Sequence, residues 1–355
     1  MLASLHKVNA DRPRRVGANR SDRRRHLQSD RARPLDGVAS LTENGAMVFD
    51  IPFDTTLAVK LVPLYLLVAI GFALGRFLHV KSAEIGKLAM FVLSPAVVFK
   101  GFYSAKLEGA MLALPFGVMA AACLVAFAAQ PMAARLWRDG RERLATFSAA
   151  TGNTGFFGIP ACLSLVGPES LPYVVLVSFG FTAYENSMGY FVVARAEASW
   201  GGALMRVLRY PGLHACWLGL ALNAAGIRLP PAIPQTVDLL AGGFSAVGMM
   251  IVGLGLASLT RLRLDWGFAA FTFGWKFLVW PAMAAAFIAI DRIWLHAFDA
   301  VAHKVLLVES LVPMAAVTVV HATLRNIHPD RAAVAVALST LVALAWLPLA
   351  FGLLY

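Results

Sequence analysis

The sequence predicts an all-α polytopic membrane protein, with ten transmembrane helices arranged as two inverted five-helix repeats and helices four and nine broken and crossing. Three observations carry this reading. Hydrophobic residues make up 59% of the 355 residues and charged residues only 14%, against about a quarter charged in typical soluble domains. Apolar runs of membrane-crossing length recur almost end to end, giving a mean hydropathy of +0.69. Prolines in the first and second halves also recur at a nearly constant offset.

The first 46 residues are unlike the rest. They carry ten Lys/Arg, from Lys7 to Arg33, and five acids: Asp11, Asp22, Asp30, Asp36 and Glu43. Such a run can touch nucleic acid or anionic lipid, and it lacks the apolar stretch a secretory leader needs. We read residues 1–46 as a basic, disordered tail or as a start assigned too early, with the patterned chain opening at Met47. No nucleic-acid partner is expected.

A transmembrane helix needs about 20 mostly apolar residues. Ten runs meet that requirement: 56–78, 83–103, 110–134, 144–166, 171–194, 207–226, 235–259, 267–290, 301–323 and 332–354. The first five form a repeat within residues 47–200 and the last five a second within 201–355. Alternate loops divide Lys/Arg unequally. One set holds 14, among them Arg76, Arg138, Arg141, Arg143, Arg195, Arg261 and Arg331, and the other holds five: Lys100, Lys106, Arg228, Arg292 and Lys304. Positive charge marks the inner face, which places both ends of the bundle outside. A basic tail would then have to cross the membrane, a second argument for a start near Met47.

Pro63 and Pro211, Pro131 and Pro281, and Pro160 and Pro313 are 148, 150 and 153 residues apart. Five helices is an odd number, so the second half re-enters with opposite polarity, the inverted architecture common among secondary transporters. In the fourth run Gly152, Gly155 and Gly158 precede Pro160. Each glycine costs a helix about 1 kcal/mol relative to alanine, and proline about 3. Backbone freed at membrane depth must be satisfied by protein or water, so this segment is expected to break and line a polar cavity. Pro313 interrupts the ninth run after Glu309 and Ser310. Two crossing breaks aim helix N-termini at one point, which suits a carboxylate.

Ionisable groups within the spans are few and are functional candidates because hydrocarbon makes them costly. Glu185, Lys276 and Glu309 are candidates for coupling, and a Glu185–Lys276 pair would neutralise both. His303 and His321 read as hydrated, structural groups near the interfaces. Gly71 and Gly75 read as close helix packing, and Trp266, Trp275 and Trp280 as interfacial anchors or lipid-facing bulk. Cys123, Cys162 and Cys216 lie in apolar runs without metal spacing and read as inert buried thiols. No phosphate-binding loop, HExxH or paired catalytic group is found in the sequence, so neither enzyme, cofactor nor metal is expected.

Asn153-Thr154-x-x-x-Gly158-Ile159-Pro160 resembles the fourth-helix crossover motif of the auxin efflux carrier family of membrane permeases. Ser94-Pro95-Ala96, the stretch from Gly248 to Gly255, and Pro313-Met314-Ala315 fall where that family has further signatures. The resemblance covers about residues 50–355. It implies ten helices in two inverted repeats crossing at proline, and an elevator-like movement of a transport domain against a scaffold. Plant members export auxin; bacterial members are linked to malonate, malate or related organic acids, implying a bacterial plasma-membrane location. By resemblance, Asn153 binds a substrate carboxylate, with Pro160 and Pro313 marking the break. Met314 stands where a small polar residue is usual, a departure that bears on the substrate rather than the fold.

Together these readings give a secondary permease for a small organic anion, a mono- or dicarboxylate. Its candidate substrate site comprises Asn153, Thr154, Gly155, Gly158, Pro160, Ser310, Pro313 and Met314. The alternatives are a sodium- or proton-coupled carrier of another substrate, or a membrane sensor. Partners are the anion and the lipid bilayer, with a homodimer left open.

Overall fold

The computed structural model describes residues 40–41, 47–48, 55–104, 109–194, 200–259 and 263–354. The chain divides into Met1–Pro52 and Phe53–Tyr355. In the first unit Ser40–Leu41 (β1) pairs antiparallel with Met47–Val48 (β2), Ser40 opposite Val48. The remainder of the expected basic tail, and Lys106, Arg195 and Arg261 of the charge count, lie outside the described residues.

The regular elements described in the second unit are all helical. Six helices are long and apolar enough to cross a membrane. They are α1 (Thr55–Phe77), α2 (Ser82–Tyr103), α3 (Gly109–Leu136), α10 (Ala232–Ala257), α11 (Trp266–Leu295) and α14 (Pro329–Leu354). Between them lie α4 (Arg141–Ala149), α5 (Ile159–Leu165), α6 (Leu171–Asn186), α7 (Met188–Ala194), α8 (Trp200–Leu208), α9 (Pro211–Ala224), α12 (Ala300–Ser310) and α13 (Val317–Leu324). All ten apolar runs therefore fall on helices. The fourth, fifth and ninth are interrupted, and the sixth maps onto α9, which follows α8 after a short turn.

Local chemistry sets the ends of these elements. Asp265 caps α11 by accepting from the Phe268 N–H at 3.1 Å, and Asp299 caps α12 by accepting from Ala302 at 2.8 Å, each satisfying a first-turn donor that has no intrahelical partner. Helix α1 packs chiefly on α10, α2 on α9 and α3 on α6. The α1–α10 contact depends on small residues, as the sequence suggested for Gly71 and Gly75. A Cβ at Gly71 would overlap the Met250 backbone, one at Gly75 would lie 2.6 Å from the Ala257 Cβ, and one at Gly253 would overlap the Val68 carbonyl. Large apolar side chains such as Phe127, Leu239 and Trp294 are exposed. That is the expected exterior of a chain whose backbone bonds are satisfied internally and whose surroundings are hydrocarbon.

Two of the three proline offsets join dissimilar positions, whereas Pro131 and Pro281 both lie inside long helices, α3 and α11. Pro63 lies inside α1 whereas Pro211 opens α9, and Pro160 lies in the first turn of α5 whereas Pro313 lies in an irregular segment. The physical reason is that proline is accommodated wherever an N–H has no acceptor, either at a helix start or in a break. Its spacing along the chain reports such sites without distinguishing them.

Candidate functional site

The fourth run breaks at residues 150–153, between α4 and a π turn (Thr154–Gly158) that leads directly into α5. The ninth breaks at residues 311–316, between α12 and α13. The two broken segments are tied together at three levels. The Ser148 hydroxyl donates to the Thr318 hydroxyl at 3.1 Å. The Asn153 N–H donates to the Pro313 carbonyl at 2.8 Å. The Cys162 thiol donates to Glu309 Oε1 at 3.8 Å. Partner numbers fall on one segment as they rise on the other, so the two run antiparallel where they cross.

Several freed backbone groups near the crossover have specific partners. The Ala149 carbonyl, at the end of α4, accepts from the Trp280 indole at 2.8 Å. The Asn153 carbonyl accepts from the N–H groups of Phe157 and Gly158, at 3.2 and 3.0 Å, which starts the π turn. The Met314 N–H donates to Ser339 on α14 at 3.1 Å. These contacts satisfy part of the irregular backbone from within the protein, as membrane depth requires.

Beside the crossover lies a cavity of about 160 Å³, lined by Asn153, Thr154 and Gly155 from the first break and by Ala315, Ala316 and Val317 from the second. Glu185 and Thr182 on α6 face it, as do Ser94 on α2, Tyr210, and Phe244 on α10. The amides of Gly155 and Phe156 are in the first turn of a helical segment, where no intrahelical acceptor exists, and they border the same space. Glu185 is held by the Thr151 hydroxyl. The Phe156 and Phe244 rings, 5.7 Å apart, form one wall. The volume is below the roughly 300 Å³ at which clefts for drug-sized ligands begin, so it suits only a small molecule.

Of the sequence candidates, Asn153, Thr154 and Gly155 line this cavity and Pro313 sits beneath it as acceptor for Asn153. The others are placed elsewhere. Gly158 backs onto Glu309, where a Cβ would overlap the carboxylate, and Pro160 is buried within α5. Met314 is fully buried in a separate apolar cluster with Trp137 and Phe268. Ser310 and Glu309 border a second, apolar cavity of about 330 Å³ between α3, α6, α11 and α12.

Several readings of single residues are corrected. Lys276 forms no ion pair with Glu185 among the described residues; Thr151 holds Glu185, and the ammonium acts electrostatically on both Glu185 and Glu309. Trp280 is buried rather than lipid-facing because its indole caps α4, whereas Trp266 is exposed as expected. His303 is not a hydrated interfacial group: it is buried against Asp291, 2.8 Å from the carboxylate. His321 is likewise buried, packed edge-on against Phe147. Cys123 and Cys216 are only partly buried. Ser94, Thr182, Tyr210 and Phe244 were not among the sequence candidates for the site. Only Ser94, within Ser94-Pro95-Ala96, carried a sequence signal.

A polar cluster ties the α3–α4 turn to the starts of α11 and α14. Arg141 bridges Asp139 (2.9 Å) and Asp265 (2.6 Å), and Arg331 reaches Asp265 at 3.3 Å. The hydrogen bond from Arg141 holds the Asp139 carboxyl down at about 2.

A family model described as "Membrane transport protein" matches residues 199–351. An "uncharacterized transporter" of Methanothermobacter thermautotrophicus is 28% identical over 310 residues, covering 85% of this chain and 98% of the relative. Another, of Methanocaldococcus jannaschii, is 25% identical over 285 residues, covering 77% and 89%. Matched through its second half and aligned along nearly the whole length of these transporters, the chain is similar to membrane transport proteins.

Proposed function

We propose that the protein is a secondary permease carrying a small organic anion, a mono- or dicarboxylate, across the plasma membrane by alternating access at the crossover. The observation that carries this reading is the cavity bordered by both breaks, with Asn153 and two helix starts lining one small space. Helix N-termini present unsatisfied N–H groups and partial positive charge, which favour a carboxylate. Asn153 is the side-chain donor, the Gly155 and Phe156 amides receive the carboxylate, and Phe156 and Phe244 pack against the carbon skeleton. Two breaks joined antiparallel support ten crossings in two inverted five-helix repeats, and the excess of Lys/Arg in alternate loops supports both ends outside.

Glu185 favours a second reading, a cation- or proton-coupled carrier, because its carboxylate reaches the same cavity. Flux that follows a sodium or proton gradient separates this reading from uniport.

Reconstituted protein should exchange labelled mono- or dicarboxylate, and Asn153→Ala should abolish that flux at unchanged membrane insertion. Unchanged flux in the variant removes the reading.

A further inference from the structure

The crossover holds more charge than the cavity uses. Lys276 lies in a π turn of α11 (Trp275–Val279) and is fully buried. Its Nζ is 5.5 Å from the Phe181 ring centroid and 5.3 Å from that of Trp280, and it has no hydrogen-bond partner among the described residues. The ammonium is pressed against the break itself, since a Cβ at Gly152 would overlap it. Glu309 meets the same segment a little further on, against Gly158, and its Oε2 is also unpartnered. Glu185 completes the cluster from the cavity side, and both carboxylates act electrostatically on the ammonium.

An isolated buried charge is far costlier than one compensated by its surroundings. Two carboxylates and one ammonium around an opened stretch of backbone lower one another's cost even without direct contact. Aromatic faces contribute further to a desolvated cation. The side chain that enters this space is long and flexible, and its charge is a compact point. It arrives from α11, outside either broken segment.

We propose that Lys276 is a resident counter-cation, its ammonium filling the place beside Gly152 and between Glu185 and Glu309 that a bound monovalent metal cation would otherwise take. The carrier thereby keeps its crossover compensated without sodium, and sodium gains a site only when the lysine is removed. The proposal builds on the reading of the crossover as the transport site, but its test requires no substrate and is decided independently of Asn153→Ala.

The test is thermal unfolding of the purified protein in sodium chloride and in choline chloride at equal ionic strength. The wild-type midpoint should be the same in both salts. Lys276→Ala, which leaves space beside two carboxylates, should unfold several degrees higher in sodium than in choline. Lys276→Met, which fills the space without charge, should lose stability in both salts and show no sodium effect. A Lys276→Ala protein indifferent to sodium, or a wild type that responds as strongly, overturns the proposal. Should neither single variant accumulate, Lys276→Met with Glu309→Gln should restore accumulation by removing both charges. Absence of restoration also overturns it.

Discussion

The backbone N–H of Asn153 donates to the carbonyl of Pro313 at 2.8 Å, joining the two breaks through main-chain atoms alone. Asn153 also lines the cavity, and we assign its side-chain amide to the substrate. Asn153→Asp keeps the N–H and the size but replaces the amide donor with a carboxylate beside helix starts, where an anion is stabilised. The variant should fold with wild-type or higher thermal stability yet lose any stabilisation by added dicarboxylate, because its own carboxylate competes for the same donors. A ligand-induced thermal shift equal to that of the wild type would refute this assignment.

Gly158 is fixed by the approach of Glu309. A Cβ at that position would collide with the carboxylate in a site that is buried on both sides. Overpacking a dense interior costs about 1–3 kcal/mol, so Gly158→Ala should lower the unfolding midpoint. Adding Glu309→Ala, which removes the colliding atoms, should recover part of that loss. Two independent, additive losses would show that the contact does not couple these residues.

The breaks were legible in the sequence because glycine, proline and asparagine in an apolar run oppose a regular helix whatever surrounds them. The tight α1–α10 contact was legible at Gly71 and Gly75 for a similar reason: small residues have one main use in a lipid-exposed helix. What the irregular segments point at was not legible. Helical periodicity assigns faces only while the helix lasts, so Met314 and Ser310, at the second break, were assigned to a cavity they do not line. Partners remote in the chain leave no local mark either, as with the Trp280–Ala149 contact across 131 residues. A tryptophan in an apolar run looks the same whether it meets lipid or caps a helix.

Trp280 accordingly has a separable role. Its indole donates to the Ala149 carbonyl, the last of α4, inside the protein. Trp280→Phe keeps an aromatic surface near Phe181 and Lys276 but leaves that carbonyl unsatisfied, at a cost of about 1–3 kcal/mol. The unfolding midpoint should fall, and hydrogen exchange at the end of α4 should rise more than exchange in α10. A midpoint within error of the wild type would show that the indole hydrogen bond is not needed to hold the break.

Arg141 links the α3–α4 turn to the cap of α11, and the pH dependence of that link has a defined sign. The arginine hydrogen bond lowers the Asp139 carboxyl from 3.8 to about 2. Burial alone would raise Asp265, but its bonds from the Phe268 N–H and from Arg141 outweigh that and lower it. A carboxyl whose folded value lies below its unfolded value stabilises the fold above the unfolded value, and this contribution disappears as the pH falls through the folded one. Stability should therefore be constant in this respect above about pH 4 and decline as the pH falls from 3.8 toward 2. Asp139 is nearly half exposed, so screening keeps its share small; Asp265, only 9% exposed, carries more of the effect. Arg141→Gln should lower the midpoint at pH 7 and flatten the acid-side decline, while Arg331 retains a weaker hold on Asp265 at 3.3 Å. Thermal unfolding of both proteins between pH 2.5 and 7 measures this. An unchanged acid slope in the variant would assign the decline to other carboxylates.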